Sequence, residues 1–359
     1  MNICLITPAP ARSRKGNRVT ALRWAGILRG LGHKVVVEEE YRGQRCDLMV
    51  ALHARRSFAS VERFRREHPG LPLVLGLTGT DLYGDIHTDP QARQSLEMAS
   101  RLVLLQPMGI QELPEHLRGK AQVIFQSVEK SPGKIVSKRR GFPVCVLGHL
   151  RPVKDPFRTA MAARLLPASS RIQVAHIGAA LSKEMEKIAR AEASSNPRYR
   201  WLGELPQWKA LRELARSRLL VLSSRMEGGA NAISEAIAVR VPILASRISG
   251  SIGILGPDYH GYFPAEDTQA LATLLERAET DSNFYQTLEA QCERLIPLVD
   301  PARERQSWES LLKELTIQNS APERKPEHCS PEQRSNDSRL STPRQTATLP
   351  HSPRKWKPD

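Results

Sequence analysis

Two glutamates, Glu227 and Glu235, stand eight positions apart with Gly228-Gly229-Ala230-Asn231-Ala232-Ile233-Ser234 between them. The apolar run Leu219 to Leu222 precedes this segment and reads as a buried strand. The Ala/Ile-rich stretch after the glycines reads as a helix. A strand, a tight glycine turn and a helix N-terminus make an anion site, because free backbone N–H groups and the helix dipole point the same way. Carboxylates on either side of that anion can accept hydrogen bonds from sugar hydroxyls. Glu227 can reach a hexose and Glu235 a ribose diol, with both expected to stay ionised. Diol, diphosphate and hexose in that order describe a nucleotide sugar.

Further charged clusters follow other strand-like runs. In Gly148-His149-Leu150-Arg151-Pro152-Val153-Lys154, Arg151 and Lys154 are spaced to converge on one phosphate, the arginine as a fork and the lysine as a point charge. They would neutralise a diphosphate leaving group as its charge develops. The alternative is a solvated basic turn. Near the N-terminus, Arg14, Lys15, Gly16 and Asn17 form a basic loop where glycine lets the backbone approach a ligand. The alternative there is a mobile surface loop. His53, Arg55 and Arg56 follow one strand, and Thr78, Gly79, Thr80 and Asp81 another. They offer an imidazole, guanidinium groups and hydroxyls to one cleft edge. Asp81 could instead cap the next turn, and His53 could be a satisfied core histidine.

Residues positioned in this way require a scaffold of strands that deliver loops to a common edge. Short apolar runs alternate with helical spacing from Asn2 onward: strands at 2–7, 34–38, 47–52, 73–77, 101–105 and 122–125, helices at 17–31 and 57–68. This pattern predicts an α/β fold with a parallel sheet covered on both faces. The Lys, Arg, Ser, Pro and Gly-rich segment 128–141 reads as a linker. The pattern then restarts, with strands at 144–148, 172–177, 200–202, 219–222 and 243–245. The domains are therefore expected at 1–127 (acceptor) and 142–300 (nucleotide sugar), followed by a return helix at 301–317 and a disordered tail at 318–359. Two doubly wound domains face a cleft at the carboxyl ends of their strands. No GxGxxG follows the first strand, which removes the main support for a nicotinamide or flavin enzyme.

Composition narrows the partners. The chain has 359 residues, a net charge of +15 and only 5% aromatic residues. Such a charge suits nucleic acid, an anionic membrane surface or anionic small substrates. The basic residues form no single stripe and no aromatic platform interleaves them, so small anions are favoured and nucleic acid is not expected. No run approaches a membrane span, the N-terminus lacks a leader pattern, and a cytoplasmic location without membrane insertion is expected. Five scattered cysteines without a CxxC pair suggest neither disulfides nor zinc.

At these residues the chain resembles the GT-B glycosyltransferases of the family-4 type. Glu227 and Glu235 match the two glutamates of the EX7E motif. Arg151 and Lys154 match the pair that holds the donor diphosphate, and Trp201-Leu202-Gly203-Glu204-Leu205 matches the segment before the base-binding loop. The resemblance implies two Rossmann-like domains and donor contacts from Gly203, Leu205, Gly228, Gly229, Ala230, Asn231 and Glu235. It implies catalytic roles for Arg151, Lys154 and Glu227. The family usually has glycine where Arg240 stands. Arginine in a left-handed C-cap costs roughly 1 kcal/mol, so a different helix end is expected there.

TPAPARSRKGNRVTALRW, DLMVALHARRS, LTGTDLY and VLGHLRPVKDPFR also resemble the selenosugar synthases of bacterial selenoneine biosynthesis. That resemblance implies transfer of a hexose from a UDP-sugar, such as UDP-N-acetylglucosamine or UDP-glucose, to selenophosphate. Arg14, Lys15, Gly16, Asn17, His53, Arg55, Thr78, Gly79, Thr80 and Asp81 would hold the acceptor. Selenium is already anionic there, so no strong general base is needed. No DxD-like motif is evident, so neither a metal nor another cofactor is expected. The alternative is an O-glycosyltransferase with a hydroxyl acceptor at a membrane surface. From a different class, a catalytically dead nucleotide-sugar sensor would lack a reason for all four charged residues.

Overall fold

The computed structural model describes residues 1–13, 16–129 and 141–320. Its first domain contains β1 (Asn2–Ile6), α1 (Gly16–Gly30), β2 (Lys34–Glu38), β3 (Leu48–Leu52), α2 (Phe58–Glu67) and β4 (Leu73–Gly76). A π-helical turn, Asp81–Asp85, leads into α3 (Ile86–Thr88), then α4 (Pro90–Met98), β5 (Arg101–Leu104) and β6 (Ala121–Val123). The second domain contains β7 (Phe142–Leu147), α5 (Arg158–Arg164), β8 (Ile172–Ile177), α6 (Lys183–Ser195), β9 (Tyr199–Trp201), α7 (Gln207–Ala215) and β10 (Leu219–Leu222). It continues through α8 (Asn231–Ala238), β11 (Ile243–Ser246), α9 (Ser249–Leu255), β12 (Tyr262–Phe263), α10 (Thr268–Thr280), α11 (Ser282–Arg294) and α12 (Pro301–Ser320).

Both sheets are parallel, in the orders β2-β1-β3-β4-β5-β6 and β12-β11-β10-β7-β8-β9. Strands covered on both faces have no polar side, which is why β3, β4, β10 and β11 are buried at every position. The chain reverses its direction of winding between β1 and β3 in the first sheet, and between β7 and β10 in the second. Such switch points splay the following loops apart and open a crevice for ligand. β12 was not legible in the sequence, being only Tyr262 and Phe263 long.

The return helix is present and longer than expected. α12 runs to Ser320, because nothing after Thr316 breaks a helix until Pro322. Its Trp308, Leu311, Leu312 and Leu315 complete the core of the first domain with Ile3, Leu5, Trp24 and Leu28. The Trp24 and Trp308 rings meet edge to face at 4.8 Å. Residues 321–359 of the tail expected at 318–359, and most of the expected linker, 130–140, lie outside the described residues.

One local expectation is overturned. α8 ends as the family's glycine would end it, with Arg240 itself left-handed at φ 58°. Val241 N–H donates to Ala236 O and Arg240 N–H to Ile237 O, the two bonds of a Schellman cap. The two cap bonds and the fully packed Val239 and Val241 hold the arginine in that conformation. No helix among the described residues is long and apolar enough to cross a membrane.

Candidate functional site

Glu227 sits five residues beyond the end of β10 and is buried. Its Oε1 accepts from the Lys154 ammonium and from Ser224 Oγ, the latter at 2.6 Å. Lys154 closes the 3-10 turn Pro152–Lys154 that follows β7, and Arg151 is the residue just before that turn. Lys154 N–H donates to Arg151 O at 2.9 Å, so the two cationic residues lie one turn apart on the same loop. Arg225 N–H donates to Val153 O at 2.9 Å and ties the β10 loop to the β7 loop. The two loops flanking the switch point are thus one hydrogen-bonded unit. Asp155 reverses the chain there at φ 42° and accepts from Arg158 Nε at 2.7 Å.

The N-terminus of α8 begins at Asn231, and Ala230 before it offers no side-chain cap. Serine or aspartate at that position would satisfy one of the free N–H groups from within. Alanine leaves them directed at whatever sits beyond Gly228 and Gly229. Glu235 lies one turn into the helix. Burial pushes its carboxyl up to about 7, against the pull of the Arg23 charge and a hydrogen bond from Gln207. Near neutral pH it is therefore shared between protonated and ionised forms, which corrects the expectation that both glutamates stay ionised. Gly203, at φ 67° just past β9, accepts from Gly178 N–H at 2.8 Å, and Leu205 packs against the second core.

The first domain contributes the loops after β1, β3 and β4. Gly16 opens α1 and is exposed, with Asn17 beside it; Arg14 and Lys15 lie outside the described residues. His53, at the end of β3, is buried and left-handed at φ 74°, an uncommon conformation for a residue with a Cβ. Its Nδ1 lies 3.4 Å from Arg56 N and its Nε2 3.1 Å from Thr80 Oγ1, so either ring nitrogen can carry the proton. Burial lowers the imidazole pKa; Asp81 and Asp85 oppose that, while Arg56 and Arg55 reinforce it. The ring is thus neutral at neutral pH. Arg55 is half exposed and its Nε lies 3.1 Å from Asp85 Oδ2.

Asp81 is fully buried. It accepts from Ala54 N–H at 2.9 Å, from Thr78 N–H at 2.9 Å and from Thr78 Oγ at 2.7 Å. Its carboxylate therefore fastens the β3 loop to the β4 loop, and Thr78 is committed to it. Of the group expected to meet the acceptor, Gly16, Asn17, His53, Arg55, Gly79 and Thr80 remain at the loop ends, with Asp81 and Thr78 holding them in place.

The two sets of loops meet through glycine. A Cβ on Gly79 would lie 3.0 Å from Gly228 N, and one on Gly229 would strike Leu105. On α9, a Cβ on Gly253 would strike Gln106 Oε1. Gln106 is fully buried and donates from Nε2 to Tyr83 OH at 2.6 Å, while Met108 N–H donates to its Oε1 at 2.6 Å. Sequence reading missed Ser224, Gln106 and Tyr83. Ser224 was within reach, as a second serine ending an apolar strand three residues before a glutamate. Tyr83 ends the LTGTDLY stretch but had no role assigned to it, and Gln106 carried no signal, because Tyr83 and Gly253 are distant from it in the chain.

Residues 127–294 match the family model described as "Glycosyl transferases group 1". The chain is 25% identical over 295 residues to a Bacillus subtilis protein named as a teichuronic acid biosynthesis glycosyltransferase, TuaC, covering 75% of this chain and 73% of that one. Its fold is similar to sucrose-phosphate synthase from Thermosynechococcus elongatus, with a TM-score of 0.73 at 14% identity over 88% of this chain and 99% of that one. HepE from Anabaena, solved with UDP and glucose, gives a TM-score of 0.70 at 16% identity over 88% of this chain and 100% of that one. The likeness to these structures establishes the two-domain GT-B architecture.

Proposed function

We propose that this chain, which is a glycosyltransferase, transfers a hexose from a UDP-sugar to the selenium of selenophosphate. The bond from the anomeric carbon to the diphosphate oxygen breaks, a carbon–selenium bond forms, and UDP leaves with the electron pair. UDP-N-acetylglucosamine and UDP-glucose are the donors proposed. The observation that carries the donor half is the uncapped N-terminus of α8 beside the Lys154–Glu227 pair. HepE, of the same fold, is held with UDP and glucose.

Arg151, Lys154 and the N–H groups after Gly229 would stabilise the departing diphosphate. Glu227, held by Lys154 and Ser224, would orient the hexose. Glu235 would hold the ribose, and Gly203 and Leu205 would border the base. In the first domain, Arg55 and the loop at Gly16 and Asn17 would hold the anionic acceptor. Its selenium needs no deprotonation, so catalysis rests on positioning and leaving-group stabilisation. The positive charge comes from side chains and a helix end, and turnover is expected to persist in EDTA.

A hydroxyl acceptor is the second reading. The TuaC likeness supports it, and so does the neutral His53 backed by Asp81 and Asp85 at 4.0 and 3.9 Å, which could accept a hydroxyl proton. One experiment separates the two. The protein is incubated with UDP-N-acetylglucosamine and selenophosphate, and products are analysed by mass spectrometry for a selenium isotope pattern on a sugar mass. That pattern supports selenium transfer, whereas turnover confined to hydroxyl acceptors supports the second reading.

A further inference from the structure

Arg23 lies on α1 of the first domain, yet its guanidinium reaches the donor helix of the second. Nη2 donates to Asn231 Oδ1, on the first residue of α8, at 3.1 Å. Nη1 donates to Ser127 O at 3.0 Å, where the chain leaves the first sheet. Nε stands 3.6 Å from Glu304 Oε1 on α12, and the two side chains are 12% and 0% exposed. Glu304 also accepts from the Trp24 indole N–H at 3.1 Å and from Ser127 N–H at 2.7 Å. One guanidinium therefore joins α1, the exit from the first sheet, the return helix and the start of the donor helix.

We propose that Arg23 is a positioning residue of the donor site, which holds Asn231 and the first turn of α8 only while the two domains are closed. The inference rests on the UDP-sugar reading above. A hydrogen bond of 3.1 Å is lost when its partners separate by about 1 Å, so rotation of one domain from the other breaks the Asn231 contact early. The chain leaving at Ser127 and the return helix at Glu304 are the two connections between the domains, so Arg23 is anchored at the pivot and acts at the site. Its charge also lowers the pKa of the Glu235 carboxyl, to which Gln207 on α7 hydrogen-bonds. Closure and nucleotide affinity are linked, and by reciprocity a bound nucleotide favours closure to the same extent. UDP release then follows opening without a separate trigger.

The test uses the full chain with Arg23→Gln, Arg23→Lys and Glu304→Gln. UDP affinity is measured by calorimetry, KM and kcat by turnover, and backbone exchange in α8 by mass spectrometry without ligand. Loss of a charge-assisted buried bond predicts about tenfold weaker UDP binding for Arg23→Gln, with KM for the UDP-sugar raised similarly. Exchange across α8 is expected to quicken in the same variant. Arg23→Lys keeps the charge without the fork and falls between it and the unaltered chain. Glu304→Gln, a change at the pivot alone, lowers Tm and leaves UDP affinity within about twofold. Unchanged UDP affinity in Arg23→Gln overturns the proposal. So does an equal loss in Glu304→Gln, which would make Arg23 a strut for the return helix. An unaltered chain that binds no UDP, but whose α8 exchange still depends on Arg23, refutes the UDP-sugar reading and upholds the cross-domain link.

Discussion

A Cβ on Gly228 would stand 2.5 Å from the carbonyl carbon of Thr78, so the two residues meet backbone to backbone where the domains face each other. Neither backbone can yield as a flexible side chain would. Gly228→Ala must therefore hold the domains apart, although alanine suits its local conformation. Misplacement of this size is expected to lower turnover by about a hundredfold. Small-angle scattering should show a larger radius of gyration, and the Tm of the variant should stay near that of the unaltered chain. A fully active, equally compact variant would remove closure through glycine from the mechanism.

The Lys154–Glu227 pair predicts an asymmetry between stability and activity. Lys154→Ala leaves a buried carboxylate whose remaining hydrogen-bond partner among the described residues is Ser224. Stability is expected to fall by about 3 kcal/mol. Adding Glu227→Gln should restore most of that stability, because the uncompensated charge is gone. Turnover should stay about a hundredfold down or more in both proteins, if Lys154 is the cation proposed for the leaving diphosphate. Denaturant unfolding and steady-state kinetics on the two variants decide the point.

Glu235 predicts a pH dependence with a definite sign. Its folded pKa of about 7 lies above the ordinary 4.5. Between those values the folded chain keeps a proton that the unfolded chain has released, so this group favours folding at low pH and loses that contribution as pH rises through 7. Glu235→Gln should flatten the dependence and be more stable above pH 7, by up to about 3 kcal/mol. Nucleotide binding runs the other way. In the proposed role the ionised form accepts from ribose hydroxyls, so KM for the UDP-sugar should rise as pH falls below 7. Thermal melts and KM measured from pH 5.5 to 8.5 test both signs.

His53 distinguishes the two acceptor chemistries. With its pKa held below the ordinary 6.5, the unfolded chain takes up a proton first on acidification, so His53 makes the fold less stable as pH falls through 6.5. His53→Ala should remove that loss. With selenophosphate as acceptor, turnover should drop by no more than about tenfold, because selenium needs no base. A drop of about a thousandfold would favour a hydroxyl acceptor with His53 as its base.

Trp308 should report how far the return helix supports the first domain. Trp308→Ala empties a fully buried site against Trp24 and should cost about 3–5 kcal/mol. Calorimetry should place that loss mainly in the unfolding of the first domain. A loss confined to the second domain would contradict the packing.

Much of this molecule was legible from local pattern. The runs Lys34–Glu38, Ile172–Ile177 and Leu219–Leu222 are strands with the limits the sequence suggests. Leu219–Leu222 is buried throughout, and such a parallel strand is a continuous apolar run recognisable without knowledge of its neighbours. The segment 227–235 was legible for the same reason, since a strand, two glycines and a helix start are adjacent in the chain. Arg240 shows the limit of such reasoning. An arginine in a left-handed cap is costly taken alone, and the two cap bonds with packed Val239 and Val241 offset that cost.

Tertiary structure decided the pairings between segments far apart in sequence. Lys154 meets Glu227, Thr78 meets Gly228, Gln106 meets Gly253, and Arg23 meets Asn231. Each pair joins loops or helices whose own periodicity carries no record of the partner. It was the two parallel sheets, with switch points between β1 and β3 and between β7 and β10, that brought those loop ends together. The sequence by itself determined the alternation of strands and helices and the strand–glycine–helix segment at 227–235. Only the tertiary structure decided that Asp81 fastens two loops, that burial carries Glu235 to about 7, and that glycine forms the contact surface of closure. The physical reason is that burial, charge proximity and close backbone approach are properties of the assembled surface, and no spacing along one segment encodes them.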